Sequence, residues 1–261
     1  MKKLLALILS VLMVAVCFAG CGTKGSTLAD VKEAGKLVMA TSPDFPPFES
    51  LEGDKVVGIE PELMAMVADE LGVELEIQQI DFDSVLSGIQ AAKFDVGVSG
   101  ITVTDARKKN MLFTNPYYEA AQAIVVKEGS AITKKADLDG KKVSVQSGTT
   151  AEDFCTTNGY NVTSYKANAD AQVALTSAKV DAWVIDNCTA AEMVEKYNAE
   201  NDQKLVILDE AMTTEPYAFA FAYGSEDLVA EINKIVDKLL ADGTVEDLFE
   251  KYELVYEAPK N

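Results

Sequence analysis

The segment Ser99-Gly100-Ile101-Thr102-Val103-Thr104-Asp105-Ala106-Arg107 combines small residues, which expose backbone N–H groups, with one arginine. A guanidinium presents a rigid fork of donors that matches a carboxylate through two parallel bonds, so the segment is a candidate carboxylate clamp. A second candidate is Gln146-Ser147-Gly148-Thr149-Thr150-Ala151-Glu152, which opens a helix. Free N–H groups and a positive dipole end at such a start make an anion site, while the alternative is a plain capped helix start. With no GKS-type ending it is not a nucleotide P-loop. A third is Asp186, at the carboxyl end of Val180–Ile185, which is predicted to be a buried strand. It either faces the same cleft as the Gly-Thr-Thr turn or caps the helix that follows, and residue types alone leave both open. Ser42-Pro43-Asp44-Phe45-Pro46-Pro47-Phe48-Glu49 is a proline-stiffened loop with two aromatics, of which Phe45 is placed to face a ligand and Phe48 the core.

The elements that must carry these groups follow from periodicity. Thr27–Gly35 is a short capped helix and Lys36–Thr41 a strand. Leu63, Met64, Val67 and Leu71 keep helical spacing up to the stop at Gly72. Val73–Ile80 alternates as a strand, Asp81–Ser84 caps the next helix, and Phe94–Ser99 is the strand that delivers the clamp. This order predicts an α/β lobe with a mainly parallel sheet, whose ligand sits beyond the strands' carboxyl ends. Phe113–Tyr118 is predicted to be a loop. A second α/β unit follows, with strands at 123–126, 143–145, 160–165, 180–185 and 205–208, and helices opening at Gly148-Thr149-Thr150 and over 169–179. Glu215–Tyr223 is predicted as one strand and 226–240 and 245–252 as closing helices. The first lobe is therefore discontinuous, with chain crossings near 119–124 and 213–218. The predicted division is lobe 1 at 28–120 plus 216–261 and lobe 2 at 121–215.

Composition removes several functions. The chain of 261 residues has no histidine, which excludes His-based triads, His metal sites and imidazole bases. Met1-Lys2-Lys3, the apolar run Leu4–Phe18 and Ala19-Gly20 form a signal peptide over residues 1–20, a run short for a bilayer span. Its removal takes two lysines and no acid, moving the net charge from −19 to about −21. A chain so acidic is a poor partner for nucleic acid. Cys155 and Cys188 are either a disulfide or two buried thiols, and they lack zinc-ligand spacing.

Taken together, Pro47-Phe48-Glu49, Gly58-Ile59-Glu60-Pro61-Glu62-Leu63, Ser99–Arg107, Gly148-Thr149-Thr150, Asp186 and Ala241-Asp242-Gly243-Thr244 resemble, in order and spacing, the bacterial extracellular solute-binding protein family 3. Its members include histidine-, glutamine- and lysine/arginine/ornithine-binding proteins of polar amino-acid ABC importers. The resemblance covers residues 28–258. It implies an α/β, two-lobed periplasmic-binding-protein-like fold (type II), with two lobes joined by a two-crossing hinge. It also implies a receptor that is not an enzyme, needs no cofactor or metal, is a monomer, and hands an amino acid to a permease. Phe18-Ala19-Gly20-Cys21 resembles a lipobox, so residues 21–27 become a lipidated Cys21 and tether that hold the chain to the outer face of the cell membrane.

The resemblance also assigns roles. Arg107 resembles the α-carboxylate clamp, with backbone N–H groups of Thr102 and Thr150. Asp186 resembles the α-ammonium partner, with Gly100 and Thr102 near the same group. Phe45 and Phe82 resemble the aromatic walls, and Gln146 a wall position that varies with ligand. The candidate ligand residues are thus Ser42, Phe45, Phe82, Ser99, Gly100, Thr102, Arg107, Gln146, Thr149, Thr150 and Asp186. Where basic-amino-acid binders carry an aspartate, this chain has Ser42, which points to a polar uncharged side chain on the ligand. The alternatives are a dehydratase-like or lytic enzyme on the same fold, which would need a poised acid or base or a further domain, and a sensor domain, which would need a following membrane span.

Overall fold

The computed structural model describes residues 24–210 and 212–259; the signal peptide and the lipidation expected at Cys21 lie outside the described residues. Helix α1 (Leu28–Ala34) is capped reciprocally by Thr27 and Asp30 and ends at Gly35, whose φ of 67° a side chain would disfavour. Strand β1 (Lys36–Thr41) leads into the proline loop, and the hairpin β2 (Ser50–Glu52) and β3 (Lys55–Val57) follows. Helix α2 (Ile59–Leu71), strand β4 (Glu74–Gln79), helix α3 (Phe82–Gln90) and strand β5 (Val96–Gly97) complete the first α/β run. Strands β6 (Leu112–Phe113), β7 (Tyr118–Ala120) and β8 (Gln122–Lys127) carry the chain across.

The second lobe holds β9 (Lys142–Gln146), helix α4 (Thr150–Thr157), β10 (Asn161–Tyr165) and helix α5 (Asn168–Thr176). Strand β11 (Ala182–Asp186), helix α6 (Asn187–Glu200) and β12 (Leu205–Ile207) complete it. The chain returns through β13 (Glu215–Tyr217) and β14 (Ala220–Phe221) to helices α7 (Glu226–Ala241) and α8 (Thr244–Lys251).

Two five-stranded sheets result, ordered β4-β1-β5-β14-β6 and β10-β9-β11-β8-β12. Each lobe is covered on both faces. In lobe 1, Ile59, Leu63 and Val67 of α2 pack on one face with Ile232 and Val236 of α7. Val85 and Ile89 of α3 pack on the other. In lobe 2, Val184 of β11 faces the core under α4 while its neighbours Trp183 and Ile185 face the core under α5 and α6. A strand buried on both faces shows no polar alternation, which is why Ala182–Ile185 is an unbroken apolar run. The crossings lie side by side, with β7 and β13 paired antiparallel through Pro216 and Glu119.

The sheets are mainly parallel as expected, but each carries one reversed strand: β14 runs against β5 and β6 in one and β8 against β11 and β12 in the other. Three expectations change. The predicted strand 215–223 is two strands, because the chain leaves the crossing pair at Tyr217 and joins the lobe 1 sheet at Ala220. Leu112–Phe113, the first of which precedes the predicted loop, pairs with β14, a run too short to show periodicity. The clamp strand shortens to Val96–Gly97, because Gly100 turns the chain at φ 52°. The end of the expected tether is also packed: Gly25 is buried, and its N–H donates to the Tyr223 carbonyl at 2.9 Å. Cys155 and Cys188 are free and buried in the cores of different lobes, so they are two thiols rather than a bridge. No helix among the described residues is long and apolar enough to cross a membrane.

Candidate functional site

The carboxyl ends of β1 and β5 in one lobe and of β9 and β11 in the other meet at one cavity. All eleven residues singled out from the sequence line it: Ser42, Phe45, Phe82, Ser99, Gly100, Thr102, Arg107, Gln146, Thr149, Thr150 and Asp186. They come from segments far apart in sequence because the strand ends of both sheets converge there.

Arg107 begins a single 3-10 turn, Arg107–Lys109, in the loop that follows β5. Its Nη1 donates to the Thr102 carbonyl at 2.9 Å and its Nη2 to the Gly148 carbonyl at 3.0 Å, so one guanidinium touches both lobes. The Phe82 ring lies 5.6 Å from the guanidinium carbon, within cation–π range. Burial lowers the guanidinium's pKa, and the charges of Glu215, Asp153 and Asp186 oppose that shift. The fork retains further N–H donors for an anion.

Across the cavity, α4 starts at a complete cap. Thr149 Oγ1 accepts from Glu152 N–H at 3.2 Å and donates to the Gln146 carbonyl at 2.7 Å. Glu152 in turn accepts the Gly148 N–H at 2.7 Å. Thr150 and Ala151, whose N–H groups belong to the unpaired first turn, line the cavity. The two readings of Gly-Thr-Thr therefore coexist: a capped helix start whose first turn faces the cleft.

Asp186 lies at the end of β11 and makes no side-chain cap bond to α6, which removes the capping alternative. Its carboxylate instead accepts short hydrogen bonds from Gln122 Nε2 and Tyr217 OH, one from each crossing segment. Burial first, and Glu215 second, push its pKa up to about 8, against the pull of Tyr217, Arg107 and Gln122.

One wall differs from expectation. Ser42 and Gln146 are not a purely neutral pair, because both donate to Asp44, Ser42 Oγ at 3.0 Å and Gln146 Nε2 at 3.3 Å. Asp44 also accepts the Asn168 N–H at 2.7 Å from the other lobe. Burial raises its carboxyl above the usual range despite these bonds, and no cation is among the causes that act on it. Asn168 Nδ2 completes the cluster by donating to Gln146 Oε1 at 3.0 Å. The Phe45 ring closes this side, 5.8 Å from Phe48 and over Gly100, where a Cβ would come within 2.6 Å of it. Phe48 is core, as its position in the loop suggested.

Asp44, Gln122, Asn168 and Tyr217 are thus site residues that the sequence did not single out. Asp44 was within reach, since it lies inside the rigid loop that carries Phe45. The others carry no local signal. The lining groups add up to one cation, Arg107, against two acids, Asp44 and Asp186. No cluster of metal-ligating residues occurs among the described residues.

Comparison with known proteins places the chain in a family. The family model for bacterial extracellular solute-binding proteins, family 3, matches residues 37–255. The arginine-binding extracellular protein ArtP of Bacillus subtilis (strain 168) is 33% identical over 258 residues, covering 97% of this chain and 98% of that protein. The L-cystine-binding protein TcyJ of Escherichia coli (strain K12) is 32% identical over 231 residues, covering 86% of this chain and 85% of that protein. A crystal structure of a mutant ArgBP from T. maritima matches with a TM-score of 0.81 at 35% identity, covering 87% of this chain and 98% of the other.

Proposed function

The chain belongs to the bacterial extracellular solute-binding proteins, family 3, and from that premise we propose that it captures a free amino acid between its two lobes for an ABC importer. The observation that carries this reading is the pairing of Arg107 with Asp186 around one cavity that has the first turn of α4 on its wall. An α-carboxylate takes the free donors of Arg107 and the N–H groups of Thr102 and Thr150. An α-ammonium takes Asp186, with Gly100 and Thr102 beside it. Phe45 and Phe82 hold the ligand's flat faces. Lobe 1 spans 28–120 plus 216–261 and lobe 2 spans 121–215, a division supported by which sheet each strand joins. The lobes close over the ligand, and expelling water strengthens each charged contact. Cys21 carries the lipid that keeps the monomer at the outer face of the membrane beside its permease.

The side-chain end of the ligand is assigned differently from the expectation of a polar uncharged group. Once Arg107 and Asp186 have paired with a zwitterion, Asp44 remains as an acid with no cation beside it. A cationic side chain supplies the missing charge, so arginine or lysine is the preferred ligand. The names of the arginine-binding relatives support the same preference.

A thermal-shift panel of the twenty amino acids, cystine and simple carboxylic acids on the chain from residue 22 onward tests both levels. A ligand that binds only the folded state raises Tm. Arginine and lysine should give the largest rise, and Asp44→Asn should weaken them about tenfold or more while sparing glutamine. No shift with any amino acid would overturn the receptor reading. Equal losses for arginine and glutamine in Asp44→Asn would overturn the cationic preference alone.

A further inference from the structure

Directly behind the cavity, lobe 1 buries two carboxyl groups that no binding role has claimed. Glu49 ends the proline loop and Glu60 sits in the first turn of α2, and both are fully buried. Glu60 accepts the Gly100 N–H with both oxygens, at 3.1 and 3.0 Å, and accepts a short bond from Tyr117 OH. Glu49 Oε1 accepts from Ser99 Oγ at 2.7 Å, and Ser99 Oγ accepts the Ser42 N–H at 3.1 Å. The other oxygen, Glu49 Oε2, is buried with no partner for it as an acceptor.

That orphaned oxygen is the informative atom. Two bare carboxylates buried side by side repel, and a buried polar atom without a partner costs further. The titratable groups facing Glu49 are Glu60 from α2 and Asp44 from its own loop, with Tyr117 on the far side of Glu60, and none of them is a cation. A proton on Oε2 removes both penalties at once, because it turns the orphan into a donor and Glu60 is there to accept.

We propose that Glu49 and Glu60 share one proton, carried on Glu49, and act as a positioning pair that sets Ser42, Ser99 and Gly100 in the cavity wall. Burial, with Glu60 next in importance, raises the Glu49 carboxyl well above the ordinary range, in line with this placement. Gly100 shows why the wall needs such support. Its φ of 52° brings it under the Phe45 ring, so a tilt of this peptide moves the aromatic wall as well. Neither glutamate touches the ligand; both act through the residues they hold.

The variants Glu49→Gln, Glu49→Ala and Glu60→Gln test the assignment, with arginine affinity measured by calorimetry. Glutamine at 49 reproduces the protonated group, accepting from Ser99 and donating to Glu60, so Glu49→Gln should stay within about threefold of the parent. Glu49→Ala and Glu60→Gln should lose about tenfold or more, the latter because an amide donor then meets the Gly100 N–H. Affinity in Glu49→Gln as weak as in Glu60→Gln would overturn the proposal. Carboxyl-carbon NMR of the parent chain with labelled glutamate needs no variant and no ligand. It should show one glutamate that stays protonated well above the ordinary carboxyl range; every glutamate titrating within that range would overturn the proposal as well. The affinity arm rests on the amino-acid reading, whereas the NMR arm does not, so failure of the parent to bind arginine would count against that reading alone.

Discussion

Asp186 shows how one residue ties recognition to the chain crossings. Both of its oxygens are occupied by crossing residues, Gln122 and Tyr217, and its pKa stands at about 8. An ammonium docks on the ionised form only, so binding lowers this pKa and expels a proton below about pH 8. Affinity should therefore be full above that value and fall as the pH drops through it, from about 8 to about 6. Calorimetry in two buffers of different ionisation heat at about pH 7 should detect the released proton, and Asp186→Asn should abolish both effects. A flat affinity with no proton release would remove Asp186 from the ammonium role. Arg107 and Asp186 could be singled out from residue type and place in the sequence. Asp44 lies in the same loop as Phe45 but was not, because its partners Gln146 and Asn168 come from the other lobe, the latter 124 residues away.

At the level of elements, α4 performs two tasks with one cap. Thr149 fastens the helix start through Glu152 N–H and the Gln146 carbonyl, and the same residue lines the cavity. Thr149→Ala should cost about 1 kcal/mol of stability, the usual value of an N-cap. It should also weaken amino-acid binding, since the first turn is then less well held. Denaturant melts with and without ligand would check this, and an unchanged midpoint would show that Glu152 alone suffices as cap. Helix ends were legible wherever a local stop exists, as at Gly35 and Gly72. Strand partners were not legible, since the antiparallel pairing of β14 with β6 depends on residues over a hundred positions apart.

For the whole molecule, several contacts bridge the lobes around the cavity. Arg107 to Gly148 and Asp44 to Asn168 lie inside, and the exposed ion pair Lys166–Asp81, at 2.5 Å, lies outside them. An exposed pair contributes at most about 1 kcal/mol and is screened by salt. Lys166→Ala should therefore speed ligand release up to about fivefold at low ionic strength, with the difference vanishing at high salt. Stopped-flow release rates at two salt concentrations would read this out. A salt-independent difference would mean that the pair does not act as an electrostatic latch.

What the amino-acid sequence determined by itself was the set of elements and the groups with intrinsic chemistry. Periodicity, glycine stops and prolines act over a few residues, and a guanidinium or a carboxylate keeps its character anywhere. The eleven residues named from these signals together with the family resemblance line one cavity. Tertiary structure alone decided the charge balance of that cavity and the protonation it imposes. Both depend on burial and on partners from distant segments: Asn168 against Asp44, Tyr217 and Gln122 against Asp186, and Glu60 against Glu49. Desolvation and pairing are properties of the folded neighbourhood, and no local stretch of chain carries them.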